Sequence, residues 1–364
     1  MTSVAPLTNG TVAPGFEAVR EVFADVIAAS PSTGSSFAAW HDGRLIVDLW
    51  GGYADVGRTH PWTSDTLAMP YSVTKAFAAT ALLTLVADGL VDLDAQVSRY
   101  WSEFRTPATL RQVLSHSAGI VAITEPLPTA AWFDWDAICA ALAAQEPAFA
   151  PGEGVGESAW FFGHLVGEIV RRVSGRTLGT VLRERVCGPH HLDFAIGLTA
   201  SELARTADAL WRPGFPPMDG RGPWHEAALT NPPGGYDNAV INSAAWRASE
   251  IPAINGHGTA SSVASLYAAL ESGALLPRSL VTEMASVQAS GWDVVMGDER
   301  AWGLGVAADD SGWGMGGLGG SLGWWAHDGA YAIGFVTGDL ADYDRQTDLE
   351  NAVRAGLGLP PLAD

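Results

Sequence analysis

The chain holds one lysine, Lys75, against nineteen arginines in 364 residues. Cysteine is almost as scarce, with Cys139 and Cys187 the two examples. They allow one disulfide but nothing demands it, and no closely spaced Cys pair of metal-binding type exists. Positive charge is short overall: 20 basic residues face 40 acidic ones, a formal net charge of −20. A surface of that sign repels phosphate backbones and anionic lipid heads, so neither nucleic acid nor membrane is expected as a partner. The sequence also lacks any run of about 18 apolar residues that would span a bilayer. Its N-terminal stretch, "MTSVAPLTNGTVAPGF", has no basic segment before an apolar core, so no export signal is read and a cytoplasmic location is expected.

Apolar residues are plentiful at 48% and charged ones few at 16%, a composition that folds into a globule with a large core. "GFEAVREVFADVIAAS" spaces its apolar side chains as an amphipathic helix does. "SSFAAWHDGRLIVDLWGGYAD" reads as two strands joined at Asp42-Gly43, a strong hairpin signal. Helical patterns follow from Ser72, with Gly89 as a stop, and again around 109–115, 135–145, 160–174, 178–186 and 260–273. Between them, 199–258 is irregular and rich in Pro and Gly, the character of loops that wall a binding site. "AWGLGVAA", "GGSLGWWAHDG" and "AYAIGFVTGD" read as three strands, and "TDLENAVRAGLG" as a closing helix. The expected fold class is α/β: an antiparallel sheet built from both termini, flanked by helices, with an inserted, mostly helical region. The boundaries follow as a sheet domain of 1–71 and 275–364, a helical domain of 72–274, and an active site in the crevice between them.

The lone lysine sits in "PYSVTKAFAAT", three residues after Ser72. A serine hydroxyl needs a base to become a nucleophile near neutral pH. Lysine serves only when neutral, and burial in apolar surroundings lowers its pKa by up to about 3–5 units. Arginine cannot substitute, because it does not deprotonate in proteins. On a helix, positions i and i+3 share a face, so the Ser72 hydroxyl and the Lys75 amine converge if the helix starts here. The helix N-terminus adds free N–H groups that favour an oxyanion. The bland alternative is an N-capping serine followed by a solvated lysine. Against it stand the uniqueness of Lys75 and its apolar neighbours Val73, Ala76, Phe77 and Ala79.

"YSVTKAF", "TLRQVLSHSAGI" (109–120), "PGEGVGESAWFFGHLVGEIVRRVSGRTLG" (151–179), "INGHGTASSVASLYAAL" (254–270) and "GWGMGGLGGSLGW" (312–324) follow one another along the chain. In that order they resemble the serine β-lactamase-like superfamily, which includes class C β-lactamases, D-alanyl-D-alanine peptidases, esterases and acyltransferases. The carboxylesterase branch is the most similar. The resemblance implies a covalent acyl-enzyme on Ser72, with Lys75 as its partner and an oxyanion hole from the N–H groups of Ser72 and Leu318. No cofactor and no metal is implied, and the partner is a small-molecule ester or other acyl substrate.

Two departures from the family pattern stand out. Where the family's second motif supplies a tyrosine, this chain aligns Glu157. It is carried as a catalytic candidate, a proton carrier in place of the phenol. The competing reading, which the sequence favours for want of a visible partner, makes it a carboxylate that suits the positive end of the following helix. The third motif, usually Lys-Thr-Gly or His-x-Gly, is Met315-Gly316-Gly317. Met315 cannot bind a substrate carboxylate as lysine does, which weakens a penicillin-type role. Met315, Gly316, Gly317, Trp160 and His257 are the candidates for the pocket wall.

Other motifs fail on context. "GGSLG" (319–323) matches a hydrolase nucleophile elbow but is followed by strand-like sequence rather than a helix. "GMGGLG" (314–319) matches a dinucleotide fingerprint, again without its helix. Serine acyl hydrolase therefore stands first, ahead of an acyltransferase using the same acyl-enzyme, a non-catalytic binding protein on the same scaffold, and a β-lactamase.

Overall fold

A computed structural model describes residues 8–30, 33–215 and 221–362. The first seven residues of the stretch read above as lacking an export signal lie outside it, as does 216–220 within the long irregular segment. Nine strands form one antiparallel sheet: β1 (Thr8–Val12), β2 (Ser35–His41), β3 (Arg44–Gly51), β4 (Ala289–Trp292), β5 (Glu299–Trp302), β6 (Ala307–Ala308), β7 (Gly312–Gly316), β8 (Leu322–Ala326) and β9 (Tyr331–Thr337). Their order across the sheet is β1-β3-β2-β9-β8-β7-β6-β5-β4, so N-terminal and C-terminal strands meet at the β2–β9 pair, as expected. The expected hairpin turns at Asp42 and Gly43, both with positive φ. β1, β4 and β7 are strands that the sequence did not announce, and the stretch 301–308, read as one strand, holds the end of β5 and the whole of β6. β1 and β4 are short and alternate only partly buried residues, and β7 is Gly-rich, so they carry little periodic signal.

Each face of the sheet carries its own core. Helix α1 (Glu17–Ala29) and helix α5 (Asp344–Gly356) pair on one face through Val19, Phe23, Leu349 and Val353, over Phe37, Ile333 and Phe335. β9 shows why both faces are apolar: Tyr331, Ile333 and Phe335 point to this layer, while Ala332 and Val336 point to the other. Helix α4 (Ala260–Glu271) covers that other face. Gly334 permits the approach, since a Cβ there would stand 2.3 Å from the Ala260 carbonyl oxygen. α4 thus belongs to the sheet layers although it falls inside the 72–274 stretch expected to be the helical region. Ala260, Val263 and Ala264 are the residues that meet β9 at Gly334.

The helical region centres on α2 (Thr74–Ala87), which packs against α3 (Phe162–Ser174). α2 has no polar face, and every residue from Thr74 to Leu85 is buried. A helix apolar all round sits in the middle of a protein rather than on its surface. Each fully buried Leu or Phe on it contributes about 1.5–3 kcal/mol of apolar transfer. Gly89 takes a positive φ just beyond the helix, the stop expected of it. Cys139 and Cys187 are buried free thiols. Among the described residues no helix is long and apolar enough to cross a membrane.

Candidate active site

Ser72 owes its position to a strained turn. Tyr71 holds φ at 46°, a region that non-glycine residues seldom occupy. Its phenol is clamped from two sides, donating to the Gly235 carbonyl at 2.8 Å and accepting from Trp211 Nε1 at 3.0 Å. A single 3-10 turn, Tyr71–Val73, then leads into α2. The turn points Ser72 into a crevice of about 270 Å³ and seats Lys75 one turn deeper.

Lys75 Nζ lies 2.6 Å from Ser72 Oγ and 3.0 Å from Glu157 Oε1. Its side chain has 0% exposure, so no water competes for the amine. Burial pulls the Lys75 pKa below its ordinary value, while the Glu157 carboxylate beside it resists that fall. Burial pushes the Glu157 carboxyl up, but the Lys75 ammonium outweighs it and holds the group below its usual range. The two share charge as a unit rather than titrating separately. The reading that Glu157 only favours the start of a helix does not fit this geometry. α3 begins five residues later, at Phe162, and the carboxylate turns to the lysine.

Glu157 is held by contacts that no local motif announces. Its N–H donates at 2.9 Å to Oδ2 of Asp293, a completely buried carboxylate. Oδ1 of Asp293 accepts from the N–H groups of Val295 and Met296 at 2.8 and 2.9 Å. One buried aspartate therefore ties the segment before β5 to the segment before α3. An isolated Asp in the apolar run "WDVVM" was the available signal. The next residue, Ser158, donates its N–H to His116 Nδ1 at 3.1 Å, which puts the ring proton on Nε2. Burial lowers the His116 pKa to about 3, so the ring is neutral and serves as a positioning group.

The opposite wall is the turn between β7 and β8. Met315, Gly316, Gly317 and Leu318 line the crevice with Ser72. Gly317 is pressed onto the serine turn: a Cβ there would stand 2.0 Å from the Pro70 carbonyl oxygen. The N–H groups of Ser72 and Leu318 have no backbone acceptor among the described residues. Leu229, Met296, Trp302 and Tyr343 complete an apolar lining that the sequence did not single out. They come from three separate segments, Met296 and Trp302 sharing the β4–β5 hairpin, so nothing local marks them as one wall. Gln346 adds a buried Oε1 without a partner.

Two expected wall residues are elsewhere. Trp160 is completely buried behind the serine turn, tilted on Tyr71 at 6.4 Å and edge-on to Trp132 at 6.1 Å. Its bulk supports the strained turn from beneath instead of facing the crevice. His257 is also buried and away from the crevice, paired with Ala195 in a two-residue bridge, its Nδ1 2.8 Å from the Asn255 carbonyl. Burial lowers its pKa to about 3, leaving a neutral structural ring.

The Beta-lactamase family model matches residues 19–353. The Esterase/beta-lactamase LipL of Mycobacterium tuberculosis is 28% identical over 315 residues, which span 75% of this chain and 68% of that protein. A family VIII carboxylesterase of known structure matches with a TM-score of 0.88 at 35% identity, over 96% of this chain and 99% of that one. A penicillin-binding protein homologue from Caulobacter crescentus matches with a TM-score of 0.87, also at 35% identity and over the same shares of each chain. With sequence pattern and fold agreeing from α1 to α5, the chain belongs to the beta-lactamase family.

Proposed function

We propose that the protein is a serine carboxylesterase that works through an acyl-enzyme on Ser72. The observation that carries this is the fully buried Lys75 amine 2.6 Å from the Ser72 hydroxyl. The esterase and carboxylesterase names of its relatives support the same reaction class. In the reactive form Lys75 is neutral and Glu157 ionised. Ser72 Oγ attacks the ester carbonyl carbon while its proton passes to Lys75 Nζ. The carbonyl oxygen takes the negative charge, held by the N–H groups of Ser72 and Leu318. Collapse breaks the ester C–O bond, and the Lys75 proton goes to the departing alkoxide. Water then attacks the acyl-enzyme, gives a proton to Lys75, and releases the acid as Ser72 takes that proton back. Glu157 stands where the new ammonium forms, so its charge stabilises each proton transfer, as a carboxylate does behind a catalytic histidine.

Incubation with a fluorophosphonate is expected to leave one adduct per chain, on the peptide that carries Ser72. p-Nitrophenyl acetate should give a burst equal to the enzyme concentration. A folded protein whose Ser72 stays unlabelled would instead be a binding protein on this scaffold.

The role of Glu157 makes a separate prediction. Glu157→Gln removes the charge that raises the Lys75 pKa, so Lys75 loses its proton at lower pH. The pH at which kcat/KM reaches half its plateau should move down, while the plateau kcat falls by about a hundredfold. Stability at pH 7 should drop by about 3 kcal/mol, because a buried cation has lost its partner. The folded Lys75 pKa lies below the unfolded value near 10.5, so the unfolded chain binds more protons between the two and stability rises with pH there. That window is wider in the variant, so its deficit should shrink as pH rises. A pH profile that does not move would reject the assignment.

A further inference from the structure

Among the described residues, Arg300 is the one arginine that lines the crevice with Ser72. It projects from β5 and its side chain is 35% exposed. Asp298 takes Nε and Nη2 at 2.8 Å each, a fork that fixes the plane of the guanidinium. Nη1 has no acceptor among the described residues, and with the outer N–H of Nη2 it forms a second edge of two parallel donors. That edge matches the two oxygens of a carboxylate. Asp298 is paired with Arg300, and the Glu157 and Asp293 carboxylates also lie in the field of the guanidinium without a hydrogen bond to it. Met296, Trp302, Met315 and Leu318, which line the same crevice, give it an apolar wall.

We propose that Arg300 selects esters whose acyl part ends in a carboxylate, such as half-esters of short dicarboxylic acids. This rests on the acyl-hydrolase reading of the same crevice. The position that would carry a carboxylate-binding cation in the third motif is Met315, and Arg300 supplies the charge from a neighbouring part of the sheet. In a protein of net charge −20 the general field repels anions, so a guanidinium in the crevice wall bears on which of them settle.

The test compares two substrates that differ only at the tip of the acyl chain, 4-nitrophenyl hydrogen glutarate and 4-nitrophenyl pentanoate, each corrected for hydrolysis without enzyme. Arg300→Gln should lower the ratio of their kcat/KM values by about tenfold to a hundredfold, chiefly through the KM of the glutarate, the loss typical of a hydrogen bond to a charged group. Arg300→Lys should recover part of it. If both substrates slow equally and the ratio stays constant, Arg300 serves Glu157 through its charge, and the proposal is overturned. A binding measurement keeps this separate from the chemistry. Monomethyl glutarate titrated calorimetrically into Ser72→Ala should bind, and should bind at least tenfold more weakly to Ser72→Ala/Arg300→Gln. Equal binding to the two proteins overturns the proposal whether or not the wild-type chain turns over either ester.

Discussion

Ser72→Ala is expected to lower kcat for p-nitrophenyl acetate by about 10,000-fold or more and to abolish both the burst and the fluorophosphonate adduct. The substitution removes one oxygen from a side chain only 5% exposed and leaves Lys75 paired with Glu157, so the fold should persist. What remains would be the contribution of the crevice itself, namely the free N–H groups and the positioning of substrate against them. Such residual catalysis is commonly a thousandfold or more over water. Stopped-flow kinetics with intact-mass analysis would read both quantities. Retention of more than about a tenth of the activity would place the nucleophile elsewhere and sink the acyl-enzyme mechanism.

Lys75→Arg should cost about a thousandfold in kcat although it preserves the charge. A guanidinium keeps its proton, so it cannot accept the one that Ser72 must shed. The arginine also has to fit a site with no exposure, where Nζ is already within 3.0 Å of two oxygens. Some loss of stability will accompany the substitution, and a thermal melt separates it from the chemical effect. Lys75→Met provides the second variant: it has similar volume, no charge and no base, and should be as inactive as the arginine. The double variant Ser72→Ala/Lys75→Arg should be no slower than Ser72→Ala alone, because the two groups act in one step. A fully active Lys75→Arg would show that the amine contributes charge and not proton transfer.

The parts of this site that were legible in the sequence were those written within one helical turn. Ser72 and Lys75 converge because i and i+3 share a helix face, and the apolar run after them foretold the burial that lowers the amine's pKa. Met315-Gly316-Gly317 was placed at the site only by its position in the family-like order of motifs, and the strand that carries it, Gly312–Gly316, was not read. The partner of Glu157 was not legible, since Lys75 lies on α2 and Glu157 in the loop before α3, and only tertiary packing brings them together. Asp293 and Arg300 were missed for the same cause: their work is done across the sheet, and nothing in "WDVVMGDERAW" indicates which groups they will meet. Trp160 and His257 show the converse error. Proximity in sequence to family-like motifs suggested the crevice, but the side chains turned into the core, Trp160 to prop the serine turn and His257 to close a two-residue bridge.

The fully enclosed helix α2 has an effect on how the enzyme can fail. A residue near the surface can be exposed by a small excursion of a loop, but Thr74 to Leu85 has neighbours on every side. Water reaches the amine from below only when the helical region as a whole comes apart. The proton affinity of Lys75 is thus insulated from the ordinary fluctuations of the crevice mouth, and the cost of keeping a lysine dry is spread over the packing around α2 rather than charged to the site.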